Sequence, residues 1–199
     1  VLSFFRNKLF VRATFNNTAL IKHHYNVGVL HRGKAVCYYK CCSALHQLIH
    51  QTRWGKLDYL LIDLPPGTGD IHLSIINELK ISGAVIVSTP QQVAVADVVR
   101  GVEMFRHPQV NVPVLGVVEN MAWFTPEELP DNKYYLFGKG GAKQYAEGAG
   151  VDLLGQIPII QSIMEGSDEG RPAGGFDPRV EKYYAEIAAK VVEKLPTEC

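Results

Sequence analysis

The chain has 199 residues, with 20 basic and 20 acidic side chains and 47% apolar residues, which suits one domain with a full core. Zero formal net charge gives no electrostatic pull towards nucleic acid or an acidic membrane face, so neither is expected as a partner. No apolar run reaches the roughly 20 residues of a membrane helix, and Val1 to Arg6 lack the charged start and small-residue cleavage pattern of a signal peptide.

Four cysteines, three of them Cys37, Cys41 and Cys42, do not make a disulfide framework at this size, and a reducing cytoplasm is the default location. Residues 1–43 form a divergent or irregular segment. Phe4, Phe5, Leu9, Phe10, Val11 and Phe15 hold neither a helical nor a strand period, and one or two short strands are allowed there. The missing initiator methionine suits a fragment.

From Ala44 the pattern becomes periodic, and 44–199 reads as one α/β unit. Ala44, Leu45, Leu48 and Ile49 have helical spacing, closed by Gly55. Tyr59–Leu64 is a buried strand ending in Asp63 and followed by Pro65-Pro66-Gly67-Thr68-Gly69-Asp70, a run that can neither extend a sheet nor begin an ordinary helix. Ile71, Leu73, Ile75, Ile76 and Leu79 suit a helix capped by Asp70. A strand at 84–89 stops at Pro90, and Val95, Val98, Val102 and Phe105 stripe the next helix.

A third strand at 112–118 is followed by Glu119-Asn120 and a loop containing Pro126 and Pro130. A helix around 141–149 and a fourth strand at 153–158 come next, and 166–175 reads as loop. Asp177-Pro178 opens a last helix striped by Val180, Tyr184, Ile187, Val191 and Leu195. Strands and helices that alternate without hairpin signals predict a mostly parallel sheet with helices on both faces. Asp63, Thr89-Pro90, Asn120 and Pro158 then fall at carboxyl ends of strands, where open α/β sheets bind ligands.

An acid at such a strand end can hold the water shell of Mg²⁺, and a following glycine lets a backbone N–H approach a phosphate. The runs Trp54 to Asp70, Ser88-Thr89-Pro90-Gln91-Gln92-Val93-Ala94, Val117-Val118-Glu119-Asn120-Met121 and Gly155-Gln156-Ile157-Pro158 together resemble the Mrp/NBP35 family. Its members are iron–sulfur cluster carrier ATPases of the MinD/ParA-like branch of P-loop nucleotide hydrolases. The resemblance spans about residues 44–174. It implies a P-loop NTPase-like fold of the SIMIBI/MinD type, incomplete at its amino terminus.

It further implies ATP, Mg²⁺ and a 4Fe–4S cluster as cofactors, a homodimer, and apo iron–sulfur proteins as recipients. Residue by residue, it puts Asp63 and Pro65, Pro66, Gly67, Thr68 and Gly69 on the Mg²⁺ and phosphate side. Asn120 and Pro158 come beside the adenine. Read without the resemblance, Asn120 is a loop amide capping a turn.

Two departures set limits. The family's glycine-rich Walker A loop does not occur; Lys139-Gly140-Gly141-Ala142-Lys143 comes after the Asp63 strand and lacks the Gly-Lys-Ser/Thr ending, so it reads as a loop entering a helix. The chain as given is expected to bind ATP weakly and not to hydrolyse it. Second, residues 122–129 contain no cysteine where many members carry a Cys-x-x-Cys pair for a bridging cluster. Cys37, Cys41 and Cys42 are the remaining candidate ligands, at a spacing that is not a usual metal pattern. The break before Ala44 suits a truncated or divergent member. The alternatives are a MinD/ParA-type positioning ATPase, or a non-catalytic interaction domain that kept the fold. The balanced charges of the last helix, Glu181, Lys182, Glu186, Lys190, Glu193 and Lys194, suit neither a membrane surface nor DNA.

Overall fold

A computed structural model describes residues 2–6, 51, 53, 57–64, 72, 73, 75, 76, 79–168 and 177–196. Five strands form one sheet in the order β2-β1-β3-β4-β5, with β1 Leu2–Arg6, β2 Tyr59–Asp63, β3 Gly83–Ser88, β4 Val114–Phe124 and β5 Leu153–Ile159. Strands β3, β4 and β5 are parallel. β1 runs antiparallel to both β2 and β3, so β2 points the same way as the other three. The sheet is mostly parallel, as the alternating pattern requires. β1 is one short strand within the stretch 1–43; the rest of that stretch and the helix expected over 44–50 lie outside the described residues.

Among the described residues, the helices given in full are, in chain order, α1 Gln92–Arg106, α2 Gly141–Ala149, α3 Gln161–Asp168 and α4 Pro178–Lys194. Neighbouring strand residues feed opposite faces, because side chains alternate along a strand. Ile86 and Val117 join Val98, Val102 and Phe105 of α1 and Ala142 and Ala146 of α2 in one core. Val85, Val118 and Leu154 join Val191 of α4 in the other, with Ile163, Tyr183 and Ile187 packed against it. Both faces of the sheet are thus covered by helices. His72, Leu73, Ile75 and Ile76 are helical, and Ile75, Ile76 and Leu79 enter the first core; the expected cap, Asp70, lies outside the described residues.

Two boundaries differ from the sequence reading. β4 runs on through Phe124 instead of ending near Val118, because Phe124 finds a second partner: it exchanges both backbone hydrogen bonds with Tyr134 at 2.8 Å. Residues 161–168 are helical where part of this stretch was read as loop. Gly166 and two serines weaken helix propensity there, and only Ile163 and Met164 are apolar.

The start of α4 follows its sequence signal. Asp177 accepts the Arg179 backbone N–H at 3.0 Å, as an N-cap does, and its other oxygen accepts the Ser162 hydroxyl at 2.6 Å from the start of α3. The Arg179 guanidinium also donates to both carboxylate oxygens, at 3.1 and 3.0 Å. The Arg179 and Ser162 hydrogen bonds hold the Asp177 carboxyl well below the ordinary carboxylate range. A folded value below the unfolded one adds stability above about pH 4, and this is lost as pH falls further into the acid range. Arg179 is 63% exposed, so its charge is screened and the cap dominates. Asp177→Ala is expected to cost about 1–2 kcal/mol at neutral pH in urea denaturation, and to flatten the acid limb of stability against pH.

Lysines dock α4 onto the sheet edge. Lys190 Nζ donates to the Leu154 carbonyl at 2.8 Å, and Lys194 pairs with Asp152. Two of the helix's balancing cations are therefore spent on β5, not offered to an acidic surface.

Candidate functional site

Three of the four predicted strand ends share one rim. Ser88 pairs in register with Glu119, Glu119 with Gln156, and Asn120 with Ile157. Thr89-Pro90, Asn120 and Pro158 consequently lie within about one residue of a common level. Asp63 is set lower. Its register runs through Leu2 to Val85, four residues short of Thr89, or about 13 Å along the strand axis at ~3.3 Å per residue. Asp63 is exposed there. Pro65, Pro66, Gly67, Thr68 and Gly69 lie outside the described residues.

Just beyond that loop, His72 is 1% exposed, and neither ring nitrogen has a hydrogen-bond partner among the described residues. Buried polar groups are seldom left unpaired, so His72 holds unused hydrogen-bonding capacity in the core.

Glu119 is the residue on which the opposite end of the rim depends. It is fully buried, 0% exposed, on the same strand face as Val117. Its Oε2 accepts the Ala142 and Lys143 backbone N–H groups at 2.9 and 3.3 Å, and Oε1 accepts the Gln156 amide at 2.6 Å. The first N–H groups of a helix have no partner within it, and Gly140, the N-cap of α2, has no side chain to offer. A carboxylate from the neighbouring strand fills that role and fixes α2 to β4 and β5 at once.

In the Val117-to-Met121 run of the sequence, Glu119 carries no role of its own. The usable signal was its position: two residues after Val117, an acid on the core side of a buried strand must find donors.

Asn120 is half-buried, and its Oδ1 accepts the Met121 backbone N–H at 2.9 Å. Met121 adopts φ +56°, a left-handed conformation that interrupts the β4–β5 register before Phe124. The Asn120 side-chain oxygen thus braces the Met121 kink within β4, and its NH₂ group has no hydrogen-bond partner among the described residues. Pro158 is buried in β5, an edge strand, where a missing N–H is tolerated.

Past Asn120, residues 121–136 form a tab closed by the Phe124–Tyr134 bridge. Trp123 meets Tyr183 of α4 edge-on, with ring centres 6.3 Å apart, and Glu127 approaches Arg179 at 3.7 Å. Among the described residues no group of three His, Cys, Asp or Glu side chains is placed to hold a metal. Cys37, Cys41 and Cys42 lie outside the described residues.

Residues 17–195 match the ParA family described as the NUBPL iron-transfer P-loop NTPases. The chain belongs to that family. The match runs past both ends of the stretch that carries the sequence resemblance. The mouse iron-sulfur cluster transfer protein NUBPL is 47% identical over 155 residues, covering 77% of this chain and 48% of that protein. A nucleotide-binding protein from Archaeoglobus fulgidus, solved in complex with ADP, superposes with a TM-score of 0.62 at 39% identity, covering 70% of this chain and 56% of that one. The septum site-determining protein MinD from Pyrococcus horikoshii, complexed with Mg-ADP, has a TM-score of 0.57 at 21% identity, covering 78% of this chain and 58% of that one; at that identity it shows the shared fold alone. The chain spans about half the length of the curated relatives it matches. Among the described residues no helix is long and apolar enough to cross a membrane.

Proposed function

We propose that this NUBPL-family chain serves iron–sulfur cluster assembly, as a scaffold that carries a cluster, of the 4Fe–4S type, and passes it to apo iron–sulfur proteins. The observation that carries this reading is the 47% identity to a protein named for cluster transfer, over 155 residues or 77% of this chain. ATP with Mg²⁺ is the nucleotide proposed for the rim. The exposed Asp63 would support the metal's water shell, with Pro65, Pro66, Gly67, Thr68 and Gly69 beside the phosphates. The Asn120 NH₂ group and Pro158 would border the adenine. Bound Mg-ATP would supply charge and binding energy for a conformational step.

We place the protein in a reducing compartment such as the cytoplasm, because four cysteines in 199 residues are too few for a disulfide framework and a carried cluster needs reducing surroundings; the homodimer is what the family resemblance implies.

The test combines anaerobic reconstitution with iron and sulfide, read by cluster absorbance, with Mg-ATP calorimetry. Cluster uptake with little or no Mg-ATP binding is the expected result for this chain. Nucleotide binding without a cluster would favour a positioning ATPase, and neither signal would favour an interaction module that kept the fold.

A further inference from the structure

A cleft of about 440 Å³ opens between the tab and the start of α2, lined by Trp123, Lys133, Tyr135, Lys139, Lys143 and Gln156 among others. Its cations are poorly neutralised. Lys133 Nζ stands 4.1 Å from the centre of the Trp123 ring, and Lys139 Nζ stands 5.0 Å from that of Tyr135. Among the described residues neither lysine pairs with a carboxylate. Lys143 has only a 3.9 Å contact with Glu147, the one carboxylate among the lining residues, both half or more exposed. The tab's own acids, Glu127, Glu128 and Asp131, fall between the bridged residues Phe124 and Tyr134 and do not line the cleft. In a chain with no net charge, three lysines against one glutamate around one cleft are a local excess.

The chemistry of the donors selects the ligand. Phosphate sites at helix ends rely on free backbone N–H groups. Here the Ala142 and Lys143 N–H groups already donate to Glu119, whose buried negative charge lies behind the cleft. That arrangement disfavours a compact phosphate seated on the helix end. What remains is a set of ammonium groups on flexible stems held against ring faces, without a fixed fork. Such groups suit several carboxylates spaced along a chain, and complementary charge of this kind steers association.

We propose that this cleft docks an acidic segment of a partner protein. That the partner receives or delivers a cluster rests on the proposed function; the docking itself does not, so the measurement below succeeds or fails apart from cluster reconstitution.

The probe is a fluorescein-labelled oligoglutamate peptide, followed by anisotropy with the full chain, at low and at physiological salt. Binding is expected to weaken with salt, and K133E and K139E are each expected to weaken it about tenfold. K182E, on the exposed side of α4, should leave it unchanged. Circular dichroism confirms that each variant is folded, and the neutral variants K133Q and K139Q should give intermediate losses. Absence of binding, equal binding by K133E and K139E, or displacement of the peptide by equimolar pyrophosphate would each overturn the proposal, the last by revealing a free-phosphate site.

Discussion

Glu119→Ala is expected to lower stability by about 4 kcal/mol and the melting temperature by about 10 °C. Three donors lose their acceptor together: the Ala142 and Lys143 N–H groups and the Gln156 amide. Each buried donor left unpaired costs about 1–3 kcal/mol, and in a chain of this size each kcal/mol moves the midpoint by roughly 2–4 °C. Gln156→Ala removes only one of the three bonds and should cost about 1 kcal/mol. Glu119→Gln falls between them, because its NH₂ group must face a donor. Urea denaturation ranks the three variants, and amide hydrogen exchange locates the effect: Ala142 and Lys143 should lose protection selectively in Glu119→Ala. Equal stability for Glu119→Ala and the wild type would mean that α2 is held by its packing and not by the carboxylate.

That dependence on one buried acid marks where the sequence was legible and where it was not. Strands announced by apolar runs between Gly and Pro appear within one or two residues of their expected places, as at Gly83–Ser88 and Leu153–Ile159. The Asp177-Pro178 start was readable because a cap is local chemistry, and its Arg179 N–H bond is observed. β4 was read too short because its last turn of pairing comes from Tyr134, ten residues away, and no local pattern encodes that. The level of Asp63 relative to Thr89 depends on β1, whose pairing links residues far apart in sequence. The lysine-lined cleft was illegible for the same reason: Trp123, Lys133 and Lys143 become neighbours only when tab and helix meet. Periodicity reports what one element buries, whereas a site is made where elements meet.

Gly141→Ala and Gly148→Ala should change stability in opposite directions although both lie on α2. At Gly141 an added Cβ would stand 2.2 Å from the Pro90 carbonyl oxygen and 3.1 Å from its carbon. Those are backbone atoms at the end of β3, so no side chain can swing away. Relief requires α2 to retreat from the rim, which would stretch the 2.9 Å bond from Ala142 to Glu119. Overpacking of this kind costs about 1–3 kcal/mol, and with that bond strained the expected loss is about 3 kcal/mol. At Gly148 the added Cβ meets nothing within 4 Å, so only helix propensity acts, worth up to about 1 kcal/mol in favour of Ala and less near a helix end. Thermal melts of the two single variants decide the matter. Similar destabilisation by both would place the cost in the helix itself, whereas opposite signs would place it at the contact between α2 and Pro90, the point where the rim fixes the position of α2.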